Sequence, residues 1–513
     1  ITSRRNSSGY AFTMAHILPA GANAPTRQES TKPAAVPDDH GRRTDTWLNA
    51  TPNGEEDPTV WKAHQKLEYD ASGKVTRVLG SRDSSNPSSV VDTKYCYVAG
   101  TAAGGSCDPD KGNDRDQLQW SKDMTGQITE YDYKASDGKS STRLQKVKQT
   151  GGAQNTTWTF TYDKAGDRTG AKAVDTDTKR VISDTQLSFN AVGQITTAGY
   201  QYDGTGNLIA APGKTFTYNG AQQMTSSTKD GIKSSYTYAG ASMVTLLSQS
   251  TAGSKAYQYT YGRSGALTAR TVVSEGTASV LSDPSSGRPL DLRTADGSTS
   301  MWVIDGIGNP AAAITDKGEK AYVVSYSPYG GETVTYGDNS SQWQQNPYGF
   351  KGGLRSSGTN IGLTKFGYRW QSAETGGWIS RDTLDAPLDP NNANRYAYAG
   401  DDPINASDPS GRAYVGGVGE LCAFVCLQVG GGYDGDWDFT IGAAVGPDVG
   451  VNGSVGGGAG TNEGPSVNAS CSADLGVGVY GEVGVGEGGD LSGGGGVGGG
   501  AGGGCNVGVS YTF

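Results

Sequence analysis

The stretch WTFTYDKAGDRTG, Trp158 to Gly170, contains a repeated pattern from which the fold can be predicted. Alternating residues lead to Tyr162-Asp163, and Gly166 follows three residues after the aspartate. Alternation with a period of two predicts a β-strand. An Asp side chain accepts a hydrogen bond from the backbone two residues further on, and Gly adopts the left-handed conformation without steric cost. The stretch therefore predicts one β-hairpin.

The same pattern recurs at irregular intervals, with Asn in place of Asp in some units. Its copies are EYDASGKVTRV, SFNAVGQITT, QYDGTGNLIA, TYNGAQQMT and TYGRSGALTAR, whose aromatic residues are Tyr69, Phe189, Tyr202, Tyr218 and Tyr261. Stacked hairpins build a long antiparallel sheet that buries its faces only against neighbouring units. The repeats predict an all-β chain, and the alternative is an ordinary β-sandwich with frequent Tyr-Asp turns.

This series of repeats resembles the Rhs/YD-repeat family, which includes bacterial polymorphic toxins, toxin-complex C components and teneurins. The resemblance covers roughly residues 65–412 and implies an antiparallel YD-repeat sheet that winds into a hollow shell. The repeats are too few to close a cavity alone, so an upstream shell portion or a shell partner subunit is expected. We predict four segments, namely an irregular lead-in (1–60), the YD-repeat shell (61–300), the Rhs-associated core domain (301–412) and a Gly-rich acidic domain (413–513).

The segment RWQSAETGGWISRDTLDAPLDPNNANRYAYAGDDPINASDPSGR, Arg369 to Arg412, resembles the Rhs-associated core element. The matching motifs are Arg369-Trp370, Gly377 to Asp382, Asn394 to Tyr398, and Asp408 to Gly411. In family members that process themselves, this element is an intramolecular aspartic protease that cuts just after the terminal motif. The resemblance implies that Asp382 and Asp408 are the paired carboxylates, that Arg369 is their charged partner, and that the bond cut is Arg412–Ala413.

Two carboxylates held close together cannot both ionise, so one keeps a proton while the other activates water. A guanidinium can hold the ionised carboxylate or a developing oxyanion. Two residues depart from the family pattern: Thr383 replaces Pro, and Arg412 replaces Leu, so an apolar pocket would receive a charge. The alternative is a structural turn built on Pro409 and Gly411, with Asp382 capping a strand and no enzymatic activity. The other carboxylates of this segment are predicted to shape loops: Asp385, Asp389, Asp401 and Asp402.

The residues after Arg412 account for the whole net charge of −10, because they contain ten carboxylates and no Lys, Arg or His. The first 412 residues are therefore neutral, which argues against nucleic-acid binding through phosphate neutralisation. The missing basic residues also disfavour nucleases, deaminases and ADP-ribosyl transferases in the tail. Neither a CxxC pair nor a His-containing zinc spacing occurs, so we predict no metal site and no cofactor.

The tail, residues 413–513, contains 34 glycines and alternates apolar with small residues, as in DLGVGVYGEVGVGEG. This period predicts a β-meander. Three functions stay open for the tail. It is a β-barrel pore in a target membrane, a structural or adhesive module at a cell surface, or an enzyme of another kind. The overall prediction is the C-terminal part of a secreted polymorphic toxin whose shell encloses and releases its tail, with an immunity protein for that tail. The alternative is a structural, teneurin-like or wall-associated surface protein.

The six cysteines are even in number. Cys96 and Cys107 flank a Gly-rich loop, and the tail contains the others, Cys422, Cys426, Cys471 and Cys505. Two or three disulfides in an oxidising compartment are preferred over free thiols or metal ligands. This preference agrees with a location outside the cell or on its surface.

Overall fold

The structure of the chain is a computed structural model. It describes residues 33–37, 42–48, 60–108, 117–239, 244–262, 265–272, 274–282, 289–356, 361–383, 394–412, 415–416, 425–433, 437–445, 453–459, 464–475, 478–486, 491–499 and 501–512. The chain divides into two compact units, the first formed by residues 1–282 and 288–419 and the second by residues 283–287 and 420–513.

The first sheet of the first unit contains eleven antiparallel strands in sequence order, so each strand pairs with its neighbours in the chain. Its strands are Pro33–Pro37 (β1), Arg43–Leu48 (β2), Ala63–Tyr69 (β3), Val75–Arg82 (β4), Ser88–Cys96 (β5), Trp120–Lys122 (β6), Ile128–Asp132 (β7), Lys146–Thr150 (β8), Thr156–Tyr162 (β9), Arg168–Asp175 (β10) and Val181–Gln186 (β11).

The second sheet contains fourteen antiparallel strands, again in sequence order. Its strands are Gln201–Tyr202 (β12), Leu208–Ala211 (β13), Lys214–Tyr218 (β14), Met224–Lys229 (β15), Ile232–Ala239 (β16), Thr245–Thr251 (β17), Ala256–Tyr261 (β18), Leu267–Val272 (β19), Gly276–Ser282 (β20), Pro289–Arg293 (β21), Thr299–Ile304 (β22), Pro310–Thr315 (β23), Lys320–Tyr326 (β24) and Glu332–Tyr336 (β25).

Short elements follow the second sheet. They are the helix Ser341–Gln345 (α1), the 3₁₀ segments Phe350–Gly352 and Ala399–Asp401, a three-stranded sheet of Leu354–Arg355 (β26), Leu363–Phe366 (β27) and Arg369–Ser372 (β28), and a pair of Ala406–Ser407 (β29) and Val415–Gly416 (β30). Within the described residues, no helix is both long and apolar enough to cross a membrane.

The second unit is a seven-stranded antiparallel sheet. Its strands are Val425–Tyr433 (β31), Trp437–Val445 (β32), Gly453–Ala459 (β33), Gly464–Leu475 (β34), Gly478–Gly486 (β35), Leu491–Gly499 (β36) and Ala501–Thr512 (β37). The spatial order β31-β32-β37-β34-β35-β36-β33 differs from a simple meander because the last strand pairs between β32 and β34. Val467 is the register partner of both Val485 and Val509.

The repeated turn has the hydrogen bonds that the sequence predicts. Asp163 Oδ1 accepts from the backbone N–H of Ala165 at 2.9 Å and of Asp167 at 3.0 Å. Gly166 has a φ of +87° and donates to the Asp163 carbonyl. The same side-chain acceptor serves the turns at Asp123, Asn190, Asp203, Asn219 and Asp305. The hairpin prediction is therefore confirmed, and Asn replaces Asp without loss of the acceptor.

The tyrosines of the repeats form a second, long-range pattern of hydrogen bonds. Their hydroxyls donate to backbone carbonyls of the preceding strand, as in Tyr218 to Leu208 at 3.0 Å, Tyr238 to Met224 at 2.7 Å and Tyr261 to Leu246 at 2.8 Å. A buried Tyr needs a partner for its hydroxyl. Because each repeat supplies a carbonyl for the next, this core accepts Tyr where other cores use Phe.

β22 is buried on both faces and joins two hydrophobic cores. Trp302 and Ile304 belong to the core of the second sheet, whereas Met301 and Val303 belong to that of the first sheet. The Gln65 side chain also reaches the Ile304 backbone, donating to its carbonyl at 2.8 Å and accepting from its N–H at 3.2 Å. The first sheet thus packs on β22, which continues across the boundary predicted at residue 300.

The irregular lead-in predicted for residues 1–60 differs from the structure in its described part. Both β1 and β2 lie there, and β2 pairs with β3 through partners such as Asp45 and Lys66. Trp47 and Leu48 are buried. The segment is polar overall, so its composition does not indicate the strand β2. The apolar residues of β2 pack on strands that follow it in the sequence.

Asp291, on β21, makes the stability of the shell depend on pH. Burial, together with the charge of Asp316, raises the pKa of the Asp291 carboxyl to about 8. The folded protein then keeps a proton that the unfolded chain releases near pH 4, so the free energy of unfolding falls as pH rises from about 4 to about 8. We expect Asp291→Asn to raise Tm strongly at pH 9 and only slightly at pH 5. Equal shifts at both pH values would contradict this, and Asp137→Asn, at an exposed position, is the control.

Candidate functional site

The candidate site is built around Arg369, the first residue of β28. The β27–β28 hairpin pairs Phe366 with Arg369 and turns through Gly367, whose φ is +31°. Only 6% of Arg369 is exposed. Its guanidinium lies over the ring of Trp378, with its central carbon 4.1 Å from the ring centroid. The hairpin therefore places a cation inside the protein, on an aromatic face.

Two carboxylates meet at one nitrogen of this guanidinium. Arg369 Nη2 lies 2.6 Å from Asp382 Oδ2 and 3.1 Å from Asp408 Oδ2. Both aspartates are buried. Arg369 Nη1 donates to the Arg395 carbonyl at 3.1 Å, and Nε donates to the carbonyl of Gly411. One cation thus holds two carboxylates from segments that are far apart in sequence.

The terminal Asp-Pro-Ser-Gly motif forms a turn around the side chain of Asp408. Asp408 Oδ1 accepts from the Ser410 hydroxyl at 2.9 Å and from the backbone N–H of Arg412 at 3.1 Å. Gly411 donates to the Asp408 carbonyl and has a φ of +68°. The structural turn on Pro409 and the paired-carboxylate arrangement therefore coexist, because one oxygen of Asp408 serves the turn and the other faces Arg369.

Asp382 is fixed by its own backbone. Its N–H donates to the Arg395 carbonyl at 3.0 Å, and Arg395 Nε donates back to the Asp382 carbonyl at 3.0 Å. Two residues earlier, Ser380 forms a β-bridge with Asn207, which belongs to a repeat turn of the second sheet. The position of this carboxylate is consequently set by the shell itself.

Burial changes the ionisation of the charged groups in this site. Burial raises the pKa of the Asp408 carboxyl, although Arg369 and the Ser410 hydroxyl act in the opposite direction. Burial also lowers the pKa of the Arg369 guanidinium, and the charges of Asp382 and Asp408 partly counteract that effect. The two carboxylates and the Arg369 cation thus share one buried cluster, and the charge of Arg395 acts on the same guanidinium.

A cleft of about 130 Å³ opens beside this cluster. It is lined by Ala221, Gln222, Gln223, Tyr368, Arg369, Ser380, Arg381, Thr383, Gly411 and Arg412. The residue before the predicted cut, Arg412, lies with its guanidinium carbon 3.6 Å from the ring centroid of Tyr368. Ala413, on the other side of that bond, lies outside the described residues.

Asp401 and Asp402 do more than shape a loop, which is all that the sequence predicts for them. Asp401 adopts a φ of +66° and lies 3.4 Å from Arg143 Nε, and burial raises its pKa to about 7. Burial likewise raises the pKa of Asp402 to about 6, and its carboxylate accepts from the Asn405 amide. Asn405 in turn accepts from the Leu118 N–H at 2.7 Å. The two residues anchor the end of the core element to the first sheet.

The structure pairs two of the six cysteines in its described part. Cys96 and Cys107 form a disulfide. In the tail, Cys471 of β34 lies directly opposite Cys505 of β37, Cys426 lies in β31, and Cys422 is outside the described residues. Among the residues that the structure describes, no three His, Cys, Asp or Glu side chains are grouped to hold a metal ion.

The motifs recognised in the sequence assign no role to several residues of the site. Tyr368 and Gly367 form the hairpin turn before Arg369, and Ser410 binds Asp408 from within the terminal turn. Arg395 is part of a motif quoted for its tyrosines, yet its backbone and side chain hold Asp382. Hydrogen bonds between segments that are separate in sequence bring Arg395 to Asp382 and Tyr368 to Ser410.

The comparisons with known proteins agree with this fold. The family model that matches is the teneurin YD-shell, over residues 114–404. A Tc holotoxin pore from Photorhabdus luminescens that contains a TccC3 mutant is 15% identical over 75% of this chain, with a TM-score of 0.51. A crystal structure of TcdB2-TccC3 is 14% identical over 75% of this chain, with a TM-score of 0.32. No curated protein matches.

This chain spans 19% and 24% of the lengths of those two solved chains. At such identities, the first of them supports the fold alone. The family match covers more than half of the sequence, and it includes strands β6–β11 of the first sheet and the whole of the second sheet. The chain belongs to the teneurin YD-shell family.

Proposed function

We propose that this chain is the C-terminal part of a secreted Rhs/YD-repeat toxin that cuts itself after Arg412 and so frees its tail. The observation that carries the proposal is the meeting of Asp382 and Asp408 at one nitrogen of Arg369. Buried carboxylates that share a site are arranged for general acid and base catalysis. The bond concerned follows Arg412, whose N–H is held by one of the two carboxylates.

In this proposal, Asp408 supplies the proton, because burial raises its pKa. Asp382, 2.6 Å from Arg369, is the ionised partner and takes a proton from water. The water oxygen bonds to the Arg412 carbonyl carbon, and the carbonyl oxygen becomes an oxyanion. The bond to the Ala413 nitrogen then breaks, and that nitrogen receives a proton from the carboxylic acid. The products are a carboxylate on Arg412 and a free amine on Ala413.

The surroundings of this shell are part of the same proposal. A solved structure with this fold is a Tc holotoxin pore that contains a TccC3 mutant. We infer that further shell strands, from an upstream portion or a partner subunit, complete the enclosure here. Release of the tail outside the producing cell would let it act on a target membrane or cell surface, and an immunity protein would protect the producer.

The second candidate is a structural or adhesive surface protein without enzymatic activity. It is favoured by the description of the matching family, teneurin YD-shell, and by the turn that Asp408 caps through its Oδ1. In that case the buried Arg369 cluster only fastens the end of the shell. The two candidates differ in one respect that can be measured, which is whether the chain breaks after Arg412.

The test is expression of the full chain followed by a denaturing gel and mass spectrometry. We expect the wild type to yield a fragment that begins at Ala413, and Asp382→Asn and Asp408→Asn to stay intact. Asp163→Asn is the matched control, because Asn serves the same turn role at Asn190 and Asn219. An intact wild type would refute self-cleavage and favour the surface protein, whereas cleavage that persists in both variants would refute the catalytic role of Asp382 and Asp408.

A further inference from the structure

We propose that Tyr368 is the specificity-determining residue of this site and that it selects arginine at position 412. The inference rests on the proposed self-cleavage. It answers a difficulty in the sequence, where Arg412 occupies the position at which family members have Leu. The structure places an aromatic ring, rather than an aliphatic pocket, against this side chain: the Arg412 guanidinium carbon lies 3.6 Å from the Tyr368 ring centroid.

The backbone holds the two partners in this stacked arrangement. The Tyr368 N–H donates to the Ser410 carbonyl at 2.8 Å. On the opposite side, the Arg412 N–H donates to Asp408 Oδ1 and to Ser410 Oγ, both at 3.1 Å. The ring and the guanidinium therefore project from two turns that are hydrogen-bonded to each other, so little ordering of the chain is needed to form the stack.

The close approach of the two turns leaves no freedom between them. A Cβ on Gly411 would lie 2.5 Å from the Phe366 carbonyl oxygen and 2.8 Å from the Arg369 nitrogen. The chain thus passes so close to the β27–β28 turn that only glycine fits at position 411. Because Tyr368 lies in that turn, the side chain that follows Gly411 meets its ring as soon as the terminal motif is seated.

The stack on Tyr368 compensates for a hydrogen bond that the Arg412 side chain does not make. Arg412 Nε is buried and has no hydrogen-bond partner among the described residues. A planar guanidinium keeps much of its stabilisation when it lies on an aromatic face, whereas an ammonium is a compact, strongly hydrated charge. Arginine therefore fits this position better than lysine. Seating Arg412 on Tyr368 also places the Arg412 carbonyl at the end of the turn that Asp408 holds.

The experiment is a double-mutant cycle. Its measured quantity is the rate at which newly made chain is cut, and pulse labelling gives that rate. Tyr368→Leu is expected to slow cutting roughly 5- to 30-fold, the rate equivalent of a cation–π contact. Tyr368→Phe keeps the ring and should stay within about twofold of the wild type. In an Arg412→Leu background, Tyr368→Leu should have little effect. Equal slowing in both backgrounds would overturn the proposal.

A second measurement keeps this inference separate from self-cleavage. In the uncut Asp408→Asn chain, trypsin reaches Arg412 only when its side chain leaves the Tyr368 ring. We expect Tyr368→Leu to accelerate tryptic cutting after Arg412, with Tyr368→Phe as the control and cutting at the exposed Lys139 as the reference. If the wild type never cuts itself but this protection is lost in Tyr368→Leu, the proposed function fails and the stack stands. If trypsin cuts all three chains equally, the stack itself is refuted.

Discussion

Arg369→Met is expected to destabilise the first unit by about 3–5 kcal/mol, the usual cost of removing one partner from a buried ionic cluster. The substitution leaves Asp382 and Asp408 buried without their shared cation. It also removes the donors to the carbonyls of Arg395 and Gly411. Urea unfolding should show a lower midpoint with an unchanged slope, and no fragment beginning at Ala413 should form.

Arg77→Met is the matched control, because it removes the same kind of side chain from a carboxylate. Arg77 makes two hydrogen bonds with Asp92, at 2.8 and 2.9 Å, but both side chains are partly exposed. Water replaces such a partner, so a loss of about 1 kcal/mol or less is expected. A similar loss for both variants would contradict a special role for burial at Arg369.

Charge removal should rescue Arg369→Met if uncompensated charge causes the loss. Adding Asp382→Asn and Asp408→Asn to Arg369→Met removes both buried carboxylates while keeping side chains of similar size. We expect this triple variant to be more stable than Arg369→Met alone, although it cannot cut itself. If the triple variant is no more stable than Arg369→Met, uncompensated charge on the two carboxylates is not the cause of the loss.

The repeat hairpins could be predicted from the sequence because their information is local. Asp163, Gly166 and the residues between them contain the acceptor and the left-handed position that make the turn. The site is different in kind. The resemblance implies a role for Arg369, Asp382 and Asp408, and the structure brings them together, but their shared nitrogen depends on the pairing of β27 with β28 and of Asp382 with Arg395.

Long-range packing explains what the sequence did not predict. β2 forms a strand because it pairs with β3. β22 is buried on both faces because residues of the first sheet pack against one of them and residues of the second sheet against the other. Tyr368 belongs to none of the motifs seen in the sequence. Its proposed role follows from its stack on Arg412, which lies 44 positions later in a turn that is hydrogen-bonded to its own. Each of these features depends on contacts between residues that a local pattern cannot relate.

Gly367→Ala is expected to abolish self-cleavage, with a loss of at least about 100-fold in rate, because displacement of reacting groups by about 1 Å costs that much. A Cβ at this position would lie 1.9 Å from the Ser410 carbonyl oxygen. That oxygen belongs to the turn that positions Asp408 and accepts the Tyr368 N–H. The new methyl group must push the terminal turn away from the hairpin, which separates Asp408 from Arg369.

Gly362→Ala is the control that isolates this close approach from backbone strain. Gly362 also has a positive φ, +72°, but nothing lies within 4 Å of a Cβ placed there. It should lose about 1 kcal/mol of stability through the left-handed backbone and still cut itself at the normal rate. Gly367→Ala carries the same kind of backbone cost and adds the displacement of the Asp408 turn. If both variants cut at the wild-type rate, the seating of that turn against the β27–β28 hairpin does not position the carboxylates, and the geometry proposed for the reaction is wrong.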